Sequence, residues 1–242
     1  MIGIIANVLA VAVDGVLGML FGHKLSQDFI TKLTSVLGVC AIGMGISSIT
    51  LMENMPAVIL AVVLGTSIGL SLHLGEWITR SAALLQRPIA KLMGPQSQGG
   101  PEQAEFLSLM VTGIVLFCAS ATGLYGCLDA GMTGNATILL SKSILDFFTA
   151  VVFACSLGLV TSVIAIPQAI IFLCLFFAAR AIFPLTTPTM IADFKACGGF
   201  LLIATGLRIT KIKDFPIADM LPAMVLVMPL SALWVNCVQP LL

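Results

Sequence analysis

Residues 2–21 read Ile2-Gly3-Ile4-Ile5-Ala6-Asn7-Val8-Leu9-Ala10-Val11-Ala12-Val13-Asp14-Gly15-Val16-Leu17-Gly18-Met19-Leu20-Phe21. About 20 predominantly apolar residues are enough for a helix to cross a hydrocarbon layer roughly 30 Å thick. This stretch carries one charge, Asp14, and one amide, Asn7. No basic segment opens it as in a secretory signal, so it is expected to stay in place as a helix. The same texture fills the chain. Its 242 residues are 59% hydrophobic and 9% charged, with a mean hydropathy of +1.14. A soluble domain has roughly a quarter charged residues, so this chain cannot clothe a water-facing surface. The bilayer is its solvent.

Outward from the first segment, the apolar runs predict about eight transmembrane helices. They cover 3–22, 30–50, 56–76, 106–127, 136–157, 162–183, 190–209 and 217–238, an all-α polytopic bundle forming a single integral membrane domain over 1–242. Pro222 and Pro229 should kink or break the eighth. The long connection 77–104 begins as an amphipathic interfacial helix, Trp77 to Met93, and continues as the flexible linker Gly94-Pro95-Gln96-Ser97-Gln98-Gly99-Gly100-Pro101. With the N-terminus outside, the cytoplasmic connections receive Lys24, Lys32, Arg80, Arg87, Lys91, Arg208, Lys211 and Lys213, and the outside only Arg180 and Lys195. That bias places both termini outside the cytoplasm of a bacterial inner-membrane protein.

A weak internal repeat accompanies this topology. Cys40-Ala41-Ile42-Gly43-Met44-Gly45-Ile46 is similar to Leu201-Leu202-Ile203-Ala204-Thr205-Gly206-Leu207, and at that register Asn7 falls opposite Gln168. Helices 1–3 then correspond to helices 6–8. The odd offset makes the repeat an inverted one, a common transporter architecture.

The fifth helix carries the chemistry. Asn135, Lys142, Asp146, Thr149 and Ser156 recur at spacings that place them on one helix face, with an apolar back. At 1.5 Å per residue Asp146 lies about 16 Å beyond Asn135, near mid-membrane. Charges at such depth cost about 2.5–3.5 kcal/mol each on insertion scales. Lys142 precedes Asp146, the weaker order for helix stability, and a pair kept only for stability is replaceable by apolar residues. Both point to a solute route. On the first helix Asn7 and Asp14 share a face, and Asp14 is expected at a depth similar to Asp146. Two carboxylates and one ammonium there could bind a cation, carry a proton or hold a zwitterionic solute.

Other classes lack their signatures. Eleven basic and eleven acidic residues cancel, leaving no electrostatic footprint for nucleic acid. Seven cysteines scattered singly and two distant histidines form no recognisable metal or disulfide pattern. The catalytic motif H-E-x-x-H and the sequence G-x-G-D are absent. No enzyme activity, cofactor or metal is expected. Gly18–Gly22 and Gly65–Gly69 have the G-x-x-x-G spacing of close helix contacts. Ser47, Ser48 and Thr50 are read as satisfying freed carbonyls, and His73 and Glu76 as interface residues.

The runs Val115-Leu116-Phe117-Cys118-Ala119, Gly131-Met132-Thr133-Gly134-Asn135, Leu139-Leu140-Ser141-Lys142-Ser143-Ile144-Leu145-Asp146 and Phe153-Ala154-Cys155-Ser156-Leu157-Gly158 resemble the YqgA-type bacterial membrane family. The resemblance extends over essentially the whole chain. It implies a membrane protein of a family described as transporters of unassigned function, whose pattern maps onto Thr133, Gly134, Lys142 and Asp146. The family tends to carry glycine where this chain has Asp14, which argues against a general role for that residue.

The expectation is therefore a membrane transporter or ion pathway for a small solute, with Lys142 and Asp146 as the contacting pair. Asp14, Asn7, Asn135, Thr149 and Gln168 would line the route. Its partners would be the lipid bilayer and the small solute or ion. The alternative is a non-transporting scaffold whose polar helix packs in a homo-oligomer.

Overall fold

Where the apolar runs meet proline, glycine or a capping hydroxyl, the helices stop. The computed structural model describes residues 1–21, 26–92 and 101–241. Its helices are α1 (Ile2–Phe21), α2 (Gln27–Ile49), α3 (Met55–Ser71), α4 (Leu74–Leu92), α5 (Pro101–Cys118), α6 (Ala121–Thr133), α7 (Thr137–Leu157), α8 (Val160–Ile182), α9 (Pro188–Ile209), α10 (Ile217–Met220) and α11 (Pro222–Leu233). A π-helical turn, Trp234–Val238, follows α11. There is no strand among the described residues. The linker 94–101 and Gly22 of the first G-x-x-x-G fall wholly or largely outside them.

Among the described residues six segments are long and apolar enough to cross a membrane, or up to seven when the bent α3–α4 pair counts as one. Ile2–Leu17 is a shorter apolar helix beside them. The surface is inverted relative to a soluble protein: Val225 is 74% and Ile144 63% exposed, while Asn7, Asp14, Gln168 and Asp193 are wholly buried. Apolar residues face outward because lipid is the solvent.

Two boundaries differ from the sequence expectation, and one expected break is present. The helix expected over 106–127 is broken at Ala119–Ser120, and α6 restarts with the Ser120 hydroxyl accepting from Gly123 N–H and continues to Thr133. The helix expected over 56–76 stops at Ser71. His73 takes a positive φ of 52°, and α3 and α4 meet at a 59° bend. The last helix is broken into α10 and α11 at Pro222, as expected, whereas Pro229 lies inside α11.

Two compact units make up the chain, Met1–Lys32 with Glu76–Ala178, and Leu33–Gly75 with Ala179–Leu242. In the first, α1 lies along α7 in parallel: Gly3 sits against Ala136 and Leu139, and Asn7 reaches Asp146. Against α8 the same helix is antiparallel. Gly15 backs so closely onto Ser162 that a Cβ would strike its hydroxyl and backbone nitrogen, and Asn7 meets Gln168. An apolar core including Val11, Met110, Ile114, Phe117, Ala150 and Ile164 surrounds these contacts.

In the second unit, α2 and α9 are antiparallel, with Gly45 on Gly199 and Gly38 on Gly206. α3 is antiparallel to α10–α11, with Gly65 on Ala223 and Gly69 on Asp219. The structural role read for the second G-x-x-x-G is met here. Asp193 of α9 ties this unit together. Its carboxylate accepts from Glu53 N–H at 3.0 Å, Asn54 N–H at 2.8 Å, Asn54 Nδ2 at 2.9 Å and Ser231 Oγ at 2.7 Å. It thereby clasps the break before α3 to α9 and α11.

Candidate functional site

The polar face of α7 turns into the first unit. Lys142 is 2% and Asp146 6% exposed, one turn apart, and Lys142 Nζ donates to both Asp146 oxygens at 2.8 and 2.6 Å. Asp146 Oδ2 also accepts from Asn7 Nδ2 of α1 at 2.9 Å. Asn7 Oδ1 in turn accepts from Gln168 Nε2 of α8 at 2.8 Å. Gln168 Nε2 makes a second, longer contact of 3.3 Å to the Phe117 carbonyl. A buried polar chain thus links α7, α1, α8 and the end of α5.

The last link explains the break in α5. In an unbroken helix the Phe117 carbonyl would accept from the N–H four residues on. The interruption at Ala119–Ser120 frees it, and the Gln168 amide takes that role. On the far side of the break, Gly123 leaves room for the Lys142 stem: a Cβ would lie 3.0 Å from Lys142 Cε and 2.6 Å from the Phe172 ring. Lysine is therefore threaded past the first turn of α6. Non-helical backbone inside a membrane is tolerated where protein buries it or a cavity is lined, and here buried side chains meet it.

Not every sequence-derived site residue joins this chain. Lys142, Asp146, Asn7 and Gln168 come together. Asn135 is exposed ahead of α7 and accepts from Thr137 N–H in the turn that precedes the helix. Thr149 bonds back to the Leu145 carbonyl on its own helix. The side chain of Ser156 lies outside the described residues. Asp14 is fully buried but belongs to another layer: Asn7, seven residues earlier, is the residue level with Asp146. At 1.5 Å per residue Asp14 is about 10 Å, two turns, further along α1, so its depth differs from that expected.

The sequence reading missed the break at Ser120, the saturated Asp193 and the hydroxyl of Thr161. It also passed over Asp129, buried in α6 and bonded by Thr133 Oγ1. Thr50 bonds the Ser47 carbonyl, in keeping with the role read for it, and Glu76 forms an exposed pair with Arg80.

Comparison with known proteins places this geometry. The model of the family described as "Protein of unknown function (DUF554)" matches residues 2–232. The chain belongs to this family. It is similar to "Uncharacterized protein YqgA" of Escherichia coli (strain K12), at 47% identity over 96% of this chain and 97% of that protein. It is also similar to "Uncharacterized membrane protein YdfK" of Bacillus subtilis (strain 168), at 26% identity over 93% of both. No solved structure matches. As a DUF554 member with six to seven candidate spans, the chain is a multi-pass helical membrane protein.

Proposed function

We propose that this protein is a transporter or ion pathway for a small solute, with the Lys142–Asp146 pair as its contacting group. The observation that carries the reading is the meeting of a buried charged pair with a discontinuous helix. Transporters characteristically place their sites at unwound backbone near the bilayer midplane, and the chain Lys142–Asp146–Asn7–Gln168 ends on the Phe117 carbonyl beside the α5–α6 break. An intramembrane ion pair with a polar chain across four helices is a costly feature for a purely structural role.

The inverted repeat belongs to the same proposal. In its support, α1 pairs antiparallel with α8, α2 with α9, and α3 with α10–α11, which is the order the repeat demands. The proposed location is a bacterial inner membrane with both termini outside the cytoplasm, on the strength of the basic-residue bias.

Flux in proteoliposomes tests the function. The purified chain is challenged in turn with alkali chlorides, small organic acids and amino acids, reading an internal pH dye and radiolabel uptake. Uptake of at least one probe by the parent, lost in Lys142→Met/Asp146→Leu but kept in the lipid-facing control Ile144→Leu, is the expected result. A folded parent that moves none of them, or a double mutant as active as the parent, overturns the reading.

A further inference from the structure

Four buried side-chain atoms have no hydrogen-bond partner among the described residues: both carboxyl oxygens of Asp14, Thr161 Oγ1 and Gln168 Oε1. All four are oxygens, and all lie on α1 and α8. The register of these two helices brings two of the residues to one level. Asn7 meets Gln168, and the helices are antiparallel, so seven residues on along α1 and seven back along α8 Asp14 stands level with Thr161. Seven residues is close to two full turns, so Asp14 keeps the face of Asn7 and Thr161 the face of Gln168. The close packing of Gly15 on Ser162 and the bond from Ser162 Oγ to the Ala12 carbonyl at 2.6 Å hold this layer together. That bond also commits the neighbouring hydroxyl elsewhere.

From this we infer that Asp14 and Thr161 form a binding site for a monovalent alkali cation, which the proposed transport would use as its coupling ion; that coupling role rests on the transporter reading above, whereas the site itself does not. The charge balance decides the sign. In this unit Lys142 is already engaged by Asp146, about two turns away, and among the described residues no buried ammonium or guanidinium is bonded to Asp14. An unpaired buried carboxylate is strongly disfavoured unless a proton or another cation joins it, and the Thr161 hydroxyl level with it, also without a partner among the described residues, offers a second oxygen that a cation can use. The donor set decides the class. Carboxylate and hydroxyl oxygens suit hard cations rather than the softer metals bound by thiolate and imidazole. A single carboxylate neutralises one positive charge. A divalent ion would keep an excess charge in apolar surroundings, and no group of three His, Cys, Asp or Glu among the described residues could hold a metal ion. Thr161 is the second residue of α8, close to the α7–α8 turn. The ion would therefore enter from that face and lie about 10 Å from the Lys142–Asp146 layer.

Equilibrium binding tests this without any flux. Thermal stability of the full chain in detergent is followed at constant ionic strength while sodium, lithium or potassium chloride replaces choline chloride. Saturable stabilisation by at least one alkali cation is expected in the parent. It should be abolished in Asp14→Asn, weakened about tenfold in apparent Kd in Thr161→Val, and unchanged in the exposed-acid control Asp28→Asn. Asp14→Asn removes a lone buried charge without changing shape, so it should fold; should it fail to, the Thr161→Val shift decides. A parent that responds to no alkali cation, responds only to pH, or responds as Asp14→Asn does overturns the site. Cation binding without flux of any solute leaves this site standing and removes the transporter reading. Flux indifferent to alkali cations and to Asp14→Asn leaves the transporter reading standing and removes the coupling role.

Discussion

Removing Lys142 and Asp146 singly and together separates their structural from their functional worth. Lys142→Met leaves Asp146 buried with only the Asn7 amide as donor, and Asp146→Leu leaves Lys142 with neither of its two carboxylate contacts. Breaking a buried pair from one side costs about 3–5 kcal/mol. In a chain of this size 1 kcal/mol moves Tm by roughly 2–4 °C, so each single variant should melt roughly 6–20 °C lower. Replacing both removes the lone charge and should restore most of that loss. It should not restore all of it, because Asn7 Nδ2 then loses its acceptor. Hydrogen bonds between membrane helices average about 0.6 and reach about 1.7 kcal/mol, which sets the residual deficit. Lys142→Met/Asp146→Asn, which keeps an acceptor oxygen for Asn7, should recover more than Lys142→Met/Asp146→Leu. Thermal melts of the detergent-purified variants supply the cycle. A double mutant as unstable as the sum of the two singles would refute the reasoning, since no pairwise term would then exist.

Asp193→Ala strands four donors that now converge on one carboxylate, so Tm should fall by roughly 10 °C, equivalent to about 3–5 kcal/mol. Asp193→Asn, which retains part of the acceptor set, should fall less; equal melting of parent and Asp193→Ala would show the clasp to be idle. For topology, reporter fusions after Gly99 and after Lys213 should signal cytoplasm, and fusions after Met132 the outside. A cytoplasmic signal after Met132 refutes the orientation and with it the inverted repeat.

Sequence alone made the membrane fold and the polar face of α7 legible, because both depend on spacing within one helix. Run length relative to bilayer thickness gave about eight spans, against six or seven long enough to cross among the described residues, and the recurrence of Lys142 and Asp146 gave the face. The register that set Asn7 opposite Gln168 also matches their bond. What stayed hidden depends on relations between helices. The break at Ala119–Ser120 contains neither proline nor glycine; it persists because Ser120 caps α6 and Gln168, some fifty residues on, meets the Phe117 carbonyl. Asp14 was misplaced in depth for a related reason. Distance along α1 is readable from residue number, but the stagger of α1 against α7 is set by packing, such as Gly3 on Leu139.

Composition cannot rank the buried acids either, since each is one aspartate in an apolar run. Their partners can. Asp193 accepts four hydrogen bonds, two of them from backbone, so nothing more is needed to hold it. Asp146 accepts three, two from an ammonium that a competing charged group could draw away. Asp14 accepts none. A carboxylate saturated by backbone N–H groups is fixed in place and suits a structural clasp. One balanced by a mobile side chain can exchange that partner, and one without any protein donor takes its counter-charge from outside the chain. The same residue type thus grades from structure to exchange to uptake, and the last two lie along α1, Asp146 through its bond to Asn7 and Asp14 on the helix itself.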